Sequence, residues 1–379
     1  MPRGNSGDDM NELFNGVYKG QRVLVTGHTG FKGSWLSFWL TSLGAEVIGV
    51  SLDPPTSPSN FEVLGLKDRI KHLRCDTRNL DELKKIFDEN KPAIVFHLAA
   101  QAIVRKSYDN PKLTFDTNVG GTINILECIR NTSCVKAGVM ITSDKCYQNL
   151  EWTWGYREND RLGGDDPYSA SKACAEIACQ AYFKSFFSKS PDRHQTHLTT
   201  ARAGNVIGGG DWAPARIVPD CVRAWANHEE VIIRSPEATR PWQHVLEPLS
   251  GYLWLGAKLF QSDELHAESF NFGPDHKVNQ SVRELIEVFL SHWGGGTWRH
   301  EKSEIKKHEN TLLKLTCDKA LHHLNWHAVL SFEETVRMTA EWYRAYYGGT
   351  QDMQQFAARQ IEAYVAKAKQ LRLAWAGVE

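Results

Sequence analysis

Arg22-Val-Leu-Val-Thr26 is a short apolar, β-branched run, Gly27-His-Thr-Gly30-Phe-Lys-Gly33 follows it directly, and Trp35-Leu-Ser-Phe-Trp-Leu-Thr-Ser-Leu43 then repeats apolar positions at helical spacing until Gly44. This reads as strand, glycine-rich turn and helix. Glycine at 27, 30 and 33 allows a tight turn, lets backbone N–H groups approach a pyrophosphate and permits close helix packing, while the helix N-terminus supplies positive potential. A three-glycine spacing alone says little; its position between a strand and a helix makes it a candidate dinucleotide-binding loop. Ala45-Glu-Val-Ile-Gly-Val50 is the next strand and completes a βαβ unit.

The alternation continues outward. Strands are expected at Ile70–Cys75, Ala93–Leu98, Ala137–Thr142 and Thr196–Ala201, and helices at Leu80–Asn90, Thr114–Asn131 and Pro167–Phe187. Apolar strands alternating with amphipathic helices give an α/β domain, a doubly wound parallel sheet of Rossmann type covered on both faces, over residues 20–204. After Gly204 the texture changes, and a smaller mixed α/β region for substrate is expected over 205–244 and 274–347. Residues 245–273 should return to the first domain, because Val245–Phe260 and Phe270–Phe272 look like a core helix and strand. Residues 1–19 are expected to be a loose leader and 348–379 a helical extension.

Forty-four Lys and Arg against 45 Asp and Glu leave a net charge of −1, so no basic field exists to hold nucleic acid. The apolar runs are far shorter than the ~18–20 residues of a membrane span, and the first fifteen residues are polar. A soluble cytoplasmic protein is expected. Eight scattered cysteines without a Cys-x-x-Cys pair suggest free thiols. His323 and His327 stand four apart but lack a third ligand at suitable spacing, so no metal is expected.

Asp53 lies 20 residues after Gly33, where a carboxylate can accept hydrogen bonds from an adenosine ribose and repel a 2′-phosphate, which favours NAD over NADP. Tyr168 and Lys172 share a helix face at i and i+4, so the ammonium can lower the phenol pKa toward working pH. Asp166-Pro167 caps that helix and puts Tyr168 in its first turn. Thr142-Ser143-Asp144-Lys145 follows a strand, and ligands of parallel sheets bind at the carboxyl ends of strands, so this turn and the Gly27 loop should open into one cleft.

The TGxxGFxG loop, His97-Leu-Ala-Ala100, Asn118 in Thr117-Asn-Val-Gly-Gly121, and the Tyr168–Lys172 pair resemble the extended short-chain dehydrogenase/reductase family of nucleotide-sugar enzymes, from about Gly20 to about Tyr347. Gly27–Leu36, Thr142–Tyr147, Trp154–Glu158, Arg202–Trp212 and Arg240–Leu249 look like its 4,6-dehydratases acting on CDP-glucose. The resemblance implies NAD held by Gly27, Thr29, Gly30, Phe31, Gly33, Asp53, Asp76, Thr77, Leu98, Ala99, Ala100, Asn118, Tyr168 and Lys172. It implies a nucleotide-sugar site drawn from Gln101, Arg105, Ser143, Asn205, Arg216, Ile217, Arg234, Arg240 and His308, and a homodimer or dimer of dimers. In the implied reaction Tyr168 takes the proton of the sugar 4-hydroxyl, Ser143 holds that hydroxyl and Lys172 anchors the nicotinamide ribose. Asp144 is the acid that protonates the C6 hydroxyl as it leaves. The dTDP-glucose relatives carry Asp-Glu where this chain has Asp144-Lys145, so Lys145 is expected to be the C5 base, which requires burial or like charge to favour its neutral amine. A dehydratase of another nucleotide-hexose, or a nucleotide-sugar 4-epimerase, is the alternative.

Overall fold

A computed structural model of the chain describes residues 10, 12–187, 195–301 and 312–377. Seven strands form one parallel sheet: β1 (Arg22–Thr26), β2 (Glu46–Ser51), β3 (Lys71–Arg74), β4 (Ile94–His97), β5 (Ala137–Ile141), β6 (His197–Ala203) and β7 (Ser269–Phe272), in the order β7-β6-β5-β4-β1-β2-β3. The order reverses between β1 and β4, where the chain crosses from one half of the sheet to the other. Val23, Leu24 and Val25 are all sealed from solvent, so both faces of β1 are covered, which is why its residues run apolar without alternating. The doubly wound expectation holds.

The helices on the faces include α1 (Phe31–Ser42), α2 (Leu80–Asn90), α3 (Gly121–Arg130), α4 (Pro167–Phe186), α5 (Ile217–Ala226), α6 (Leu246–Gln261), α7 (Val282–Trp293), α8 (Phe332–Gly348) and α9 (Met353–Gln370). The helix expected over Thr114–Asn131 is present and carries one irregularity: Pro111–Phe115 runs into Asp116–Gly120, which widens into a π turn, and continues as α3. Two contacts accompany it. Asn118 turns its amide to the Gln101 backbone, and Gly121 lies so close to Thr77 that a Cβ would be 2.7 Å from its Oγ1.

β7 pairs with β6, and short strand pairs join Val231–Ile233 to Trp298–His300 and Thr239–Arg240 to Gln280–Ser281 beyond the sheet. The expectation of a loose leader fails for Leu13–Tyr18. Leu13, Phe14 and Tyr18 are buried, and Phe14 stacks on Trp375 at 5.3 Å between ring centroids, because large apolar rings gain more from burial than a terminus gains from fraying. Trp375 also stacks on Tyr364 of α9 and meets Trp39 of α1 edge-on. No helix among the described residues is long and apolar enough to cross a membrane.

Candidate active site

The glycine loop closes on itself: Gly30 N donates to Gly27 O at 3.0 Å, and a Cβ on Gly33 would collide with that same carbonyl. Gly27 has φ +72° and lies against the Leu98–Ala99 backbone, where a side chain would meet Ala99 N at 2.8 Å. The cradle is therefore bare backbone at the start of α1, shaped for a pyrophosphate. Thr26 Oγ1 accepts from the Leu98 and Ala99 amides, both at 3.1 Å, and fixes the end of β4 beside it. Thr29 spends its hydroxyl on Ser51 Oγ and the Leu52 carbonyl. Beyond the end of β3 an open cavity of about 770 Å³ is lined by Asp76, Arg78, Asp116, Gly120 and Asn124. Thr77 borders it through its carbonyl, which accepts from Asn124.

At the end of β5, Ser143 and Asp144 are buried, and Ser143 Oγ donates to Asp144 Oδ1 at 2.9 Å while accepting from the Lys145 amide at 3.2 Å. The half-buried Lys145 stands in the same short turn. Tyr168 and Lys172 are buried on α4, whose first turn Asp166 caps by accepting from Ser169 N at 3.0 Å. The sequence expectation that Lys172 draws the Tyr168 phenol toward neutrality is corrected. Burial pushes the phenol up to about 12 and outweighs the Ser143 hydrogen bond and the Arg216 charge that act against it, while Lys172 Nζ donates instead to the Ile141 carbonyl at 3.3 Å. Burial also draws Lys172 down to about 8, opposed chiefly by Glu176.

Several predicted contacts are already engaged within the chain. Asp53 is exposed and held by Arg74, whose Nε and Nη2 donate to its carboxylate at 3.0 Å, so a ribose would have to share it. Asp76 is likewise bound by Arg78. Asn118 accepts from Gln101 N at 2.8 Å and donates to Gln101 O and Ser171 Oγ, so both its amide protons are spent on holding the turn after Ala100 to α4. The Gln101 side chain folds onto Ile103 and Thr114. Arg105 is exposed on the helix Val104–Asp109.

Toward the second region, Arg216 pairs with Asp211 at 2.7 Å and faces Tyr168, with Ile217 opening α5 behind it. Asn205 takes a left-handed conformation (φ +51°), and its carbonyl accepts from Gln243 N. Arg234 and Arg240 line one cavity of about 450 Å³ with Glu237, Thr239 and His300. His308 lies outside the described residues.

Sequence reasoning missed three features. Lys32, one residue before Gly33, is half-buried and faces Arg216, Asp144 and Lys172, and burial with those two like charges draws it down to about 8. Gly204 leaves the room that Asp144 occupies. Thr142, Glu176 and Arg202 form a buried network behind the cleft. Only the position of Lys32 inside the glycine loop offered a signal. Among the described residues no group of His, Cys, Asp or Glu is arranged to hold a metal ion.

Comparison with known proteins places the arrangement among relatives. Residues 24–339 match a family model described as GDP-mannose 4,6 dehydratase. The chain is 46% identical over 350 residues to CDP-glucose 4,6-dehydratase of Salmonella typhimurium, covering 92% of this chain and 97% of that one. Among solved structures, dTDP-glucose 4,6-dehydratase of Streptomyces venezuelae, with NAD bound, superposes at TM-score 0.74 and 22% identity, covering 88% and 99% of the two chains. UDP-glucose 4-epimerase of Thermus thermophilus, in complex with NAD, gives 0.74 at 23% identity over 87% and 100%. These last two likenesses are of fold.

Proposed function

We propose that this chain, since it belongs to the GDP-mannose 4,6 dehydratase family, is an NAD-dependent hydro-lyase that converts CDP-glucose to CDP-4-keto-6-deoxyglucose and water for deoxysugar biosynthesis. The observation that carries the reading is the meeting of the Ser143-Asp144-Lys145 turn with Tyr168 and Lys172 at the carboxyl end of β5, beside the glycine loop. The Salmonella relative supports CDP-glucose as the substrate.

The bare glycine loop at Gly27, Gly30 and Gly33 would hold NAD, which would supply reversible hydride acceptance at the sugar. Tyr168 receives the proton of the 4-hydroxyl, which Ser143 holds. To accept it the phenol must first give up its own proton to solvent, leaving the phenolate; burial opposes that loss, and Arg216, together with the oxidised cofactor when bound, would favour it. Once C4 is a ketone the C5 hydrogen is acidic, Lys145 removes it, Asp144 protonates the C6 hydroxyl as it departs as water, and C5 takes back a solvent-exchanged proton from Lys145 when C6 is reduced. A 4-epimerase would need Tyr168 and Lys172 but would leave Asp144 and Lys145 without a task.

Arg234 and Arg240 are suited to the nucleotide and its diphosphate, and residues 205–244 with 274–347 form the substrate region of this reading. The reading includes a homodimer or dimer of dimers paired through the helices over Asp116–Asn131 and Pro167–Phe187, the second of which leaves Ile177 and Phe186 exposed. It also includes a cytoplasmic location, in keeping with eight free thiols. Incubation with the CDP-, dTDP-, GDP- and UDP-hexoses tests it: a 4-keto-6-deoxy product is expected from CDP-glucose, and a 4-epimer or no product from any of the four overturns it.

A further inference from the structure

Glu176 is fully buried in the middle of α4, one helical turn beyond Lys172, and has no role in the chemistry above. Its carboxylate is saturated. Oε1 accepts from Thr142 Oγ1 and from Arg202 Nε at 2.9 Å; Oε2 accepts from Thr200 Oγ1 at 2.8 Å and from Arg202 Nη2 at 2.7 Å. Arg202 in turn gives Nη1 to Tyr147 Oη and the Glu158 carbonyl.

An ion pair that served only the core would need Arg202 and nothing at residue 142. Thr142, however, is the residue immediately before Ser143, and the carbonyl before it, that of Ile141, accepts from Lys172 Nζ. Two consecutive residues at the end of β5 are thus gripped by two side chains of α4 that lie one turn apart. Through these two grips the turn that carries Ser143, Asp144 and Lys145 is set against the helix that carries Tyr168 and Lys172.

We propose that Glu176 is a positioning residue of the reaction, setting the Ser143–Lys145 turn against α4 through Thr142. The inference rests on the dehydratase reading. The groups facing Lys172 are few: Glu176 attracts its proton, the thiols of Cys146 and Cys179 add to that pull if ionised, and Lys32 and His97 face it from the glycine loop and β4. Burial already draws the lysine down to about 8, and Glu176 is the largest influence in the opposite direction. Without that carboxylate the ammonium would be lost at lower pH.

Thr142→Val keeps the ion pair and shape but removes the tether, and Thr142→Ser restores it. The valine variant is expected to melt close to wild type, bind NAD and CDP-glucose normally, and turn over about 10- to 100-fold more slowly; the serine variant should recover to within about 3-fold. In Glu176→Gln the alkaline limb of both kcat and NAD affinity should move about 1 pH unit toward acid. If the stranded Arg202 prevents that variant from folding, Glu176→Gln with Arg202→Met removes both charges and carries the same pH test. Wild-type turnover in Thr142→Val, or an unmoved alkaline limb in whichever Glu176 variant folds, overturns the proposal. A wild-type chain inactive on every nucleotide-hexose overturns the dehydratase reading instead, and the pH dependence of NAD affinity still decides the role of Glu176.

Discussion

Gly204 and Asp144 stand so close that a Cβ at residue 204 would fall on the Asp144 carboxyl group, nearer than side-chain atoms approach one another in proteins. The carboxylate is backed by main chain on that side and by the Ser143 hydroxyl on the other. Gly204→Ala should displace the acid without touching the cofactor loop. Turnover is expected to fall about 100-fold, the cost of misplacing a reacting group by about an ångström. NAD affinity and melting temperature should stay near wild type; rapid-mix kinetics and calorimetry check both.

Lys172 keeps its proton only below about pH 8, so NAD affinity and turnover should fall together as pH rises through that value. Tyr168→Phe should lower turnover by about 10²–10⁴ while leaving NAD affinity and its pH dependence intact. Isothermal titration across pH 6 to pH 9, approximately, separates the two residues.

Lys145→Met should preserve C4 oxidation and block elimination. Reduced-cofactor absorbance should then appear on mixing with CDP-glucose and persist, where wild type shows little. In deuterated water the product of wild type should carry deuterium at C5 and the variant should form almost none. Normal product with wild-type labelling would falsify the base assignment and direct attention to Asp144 and to Lys32, an amine that faces it.

Arg234 and Arg240 share one cavity, so their loss should change substrate choice more than chemistry. Arg240→Ala should raise the KM for CDP-glucose at least 10-fold, as expected for losing a charged hydrogen bond worth ~1.5–3 kcal/mol. Arg234→Ala should narrow the gap between CDP- and UDP-glucose. Competition assays with paired substrates measure both.

Glu247 gives a stability signature far from the cleft. Its carboxyl is buried in α6, accepts from the amides of Val329 and Leu330 and from Tyr364 Oη, and is still pushed up to about 7 by burial. The folded value lies above the unfolded one of 4.5. Its contribution is therefore complete below about pH 4.5 and is lost as pH rises toward and through 7, amounting to roughly 3 kcal/mol. Urea midpoints across that window should fall less in Glu247→Gln than in wild type.

The sheet and helices were legible because each is written in contiguous residues: Leu80–Asn90 and the β1–loop–α1 unit are found where periodicity puts them. The candidate catalytic residues were legible for the same reason, as a four-residue turn and an i, i+4 pair. What governs them was not. Glu176 meets Arg202 from 26 positions away, and Gly204 backs Asp144 from 60, distances over which no periodicity operates. The π turn at Asp116–Gly120 escaped because the contacts that accompany it, Asn118 with the Gln101 backbone and Gly121 with Thr77, come from residues that helical spacing does not announce. The net direction of the Tyr168 titration escaped because burial outweighs the charge that a helical pair suggests.

The stack of Phe14 on Trp375, with Trp39 set edge-on against both, has a consequence for how the molecule comes into being. Trp39 belongs to α1, the helix whose first turn is the glycine loop, and so the rear of that helix is sealed by a ring synthesised long after it. The wall behind α1 is therefore complete only once Trp375 has joined Phe14, Tyr364 and Trp39. The helix that carries the binding cradle is thus completed from behind only by a ring made much later than itself.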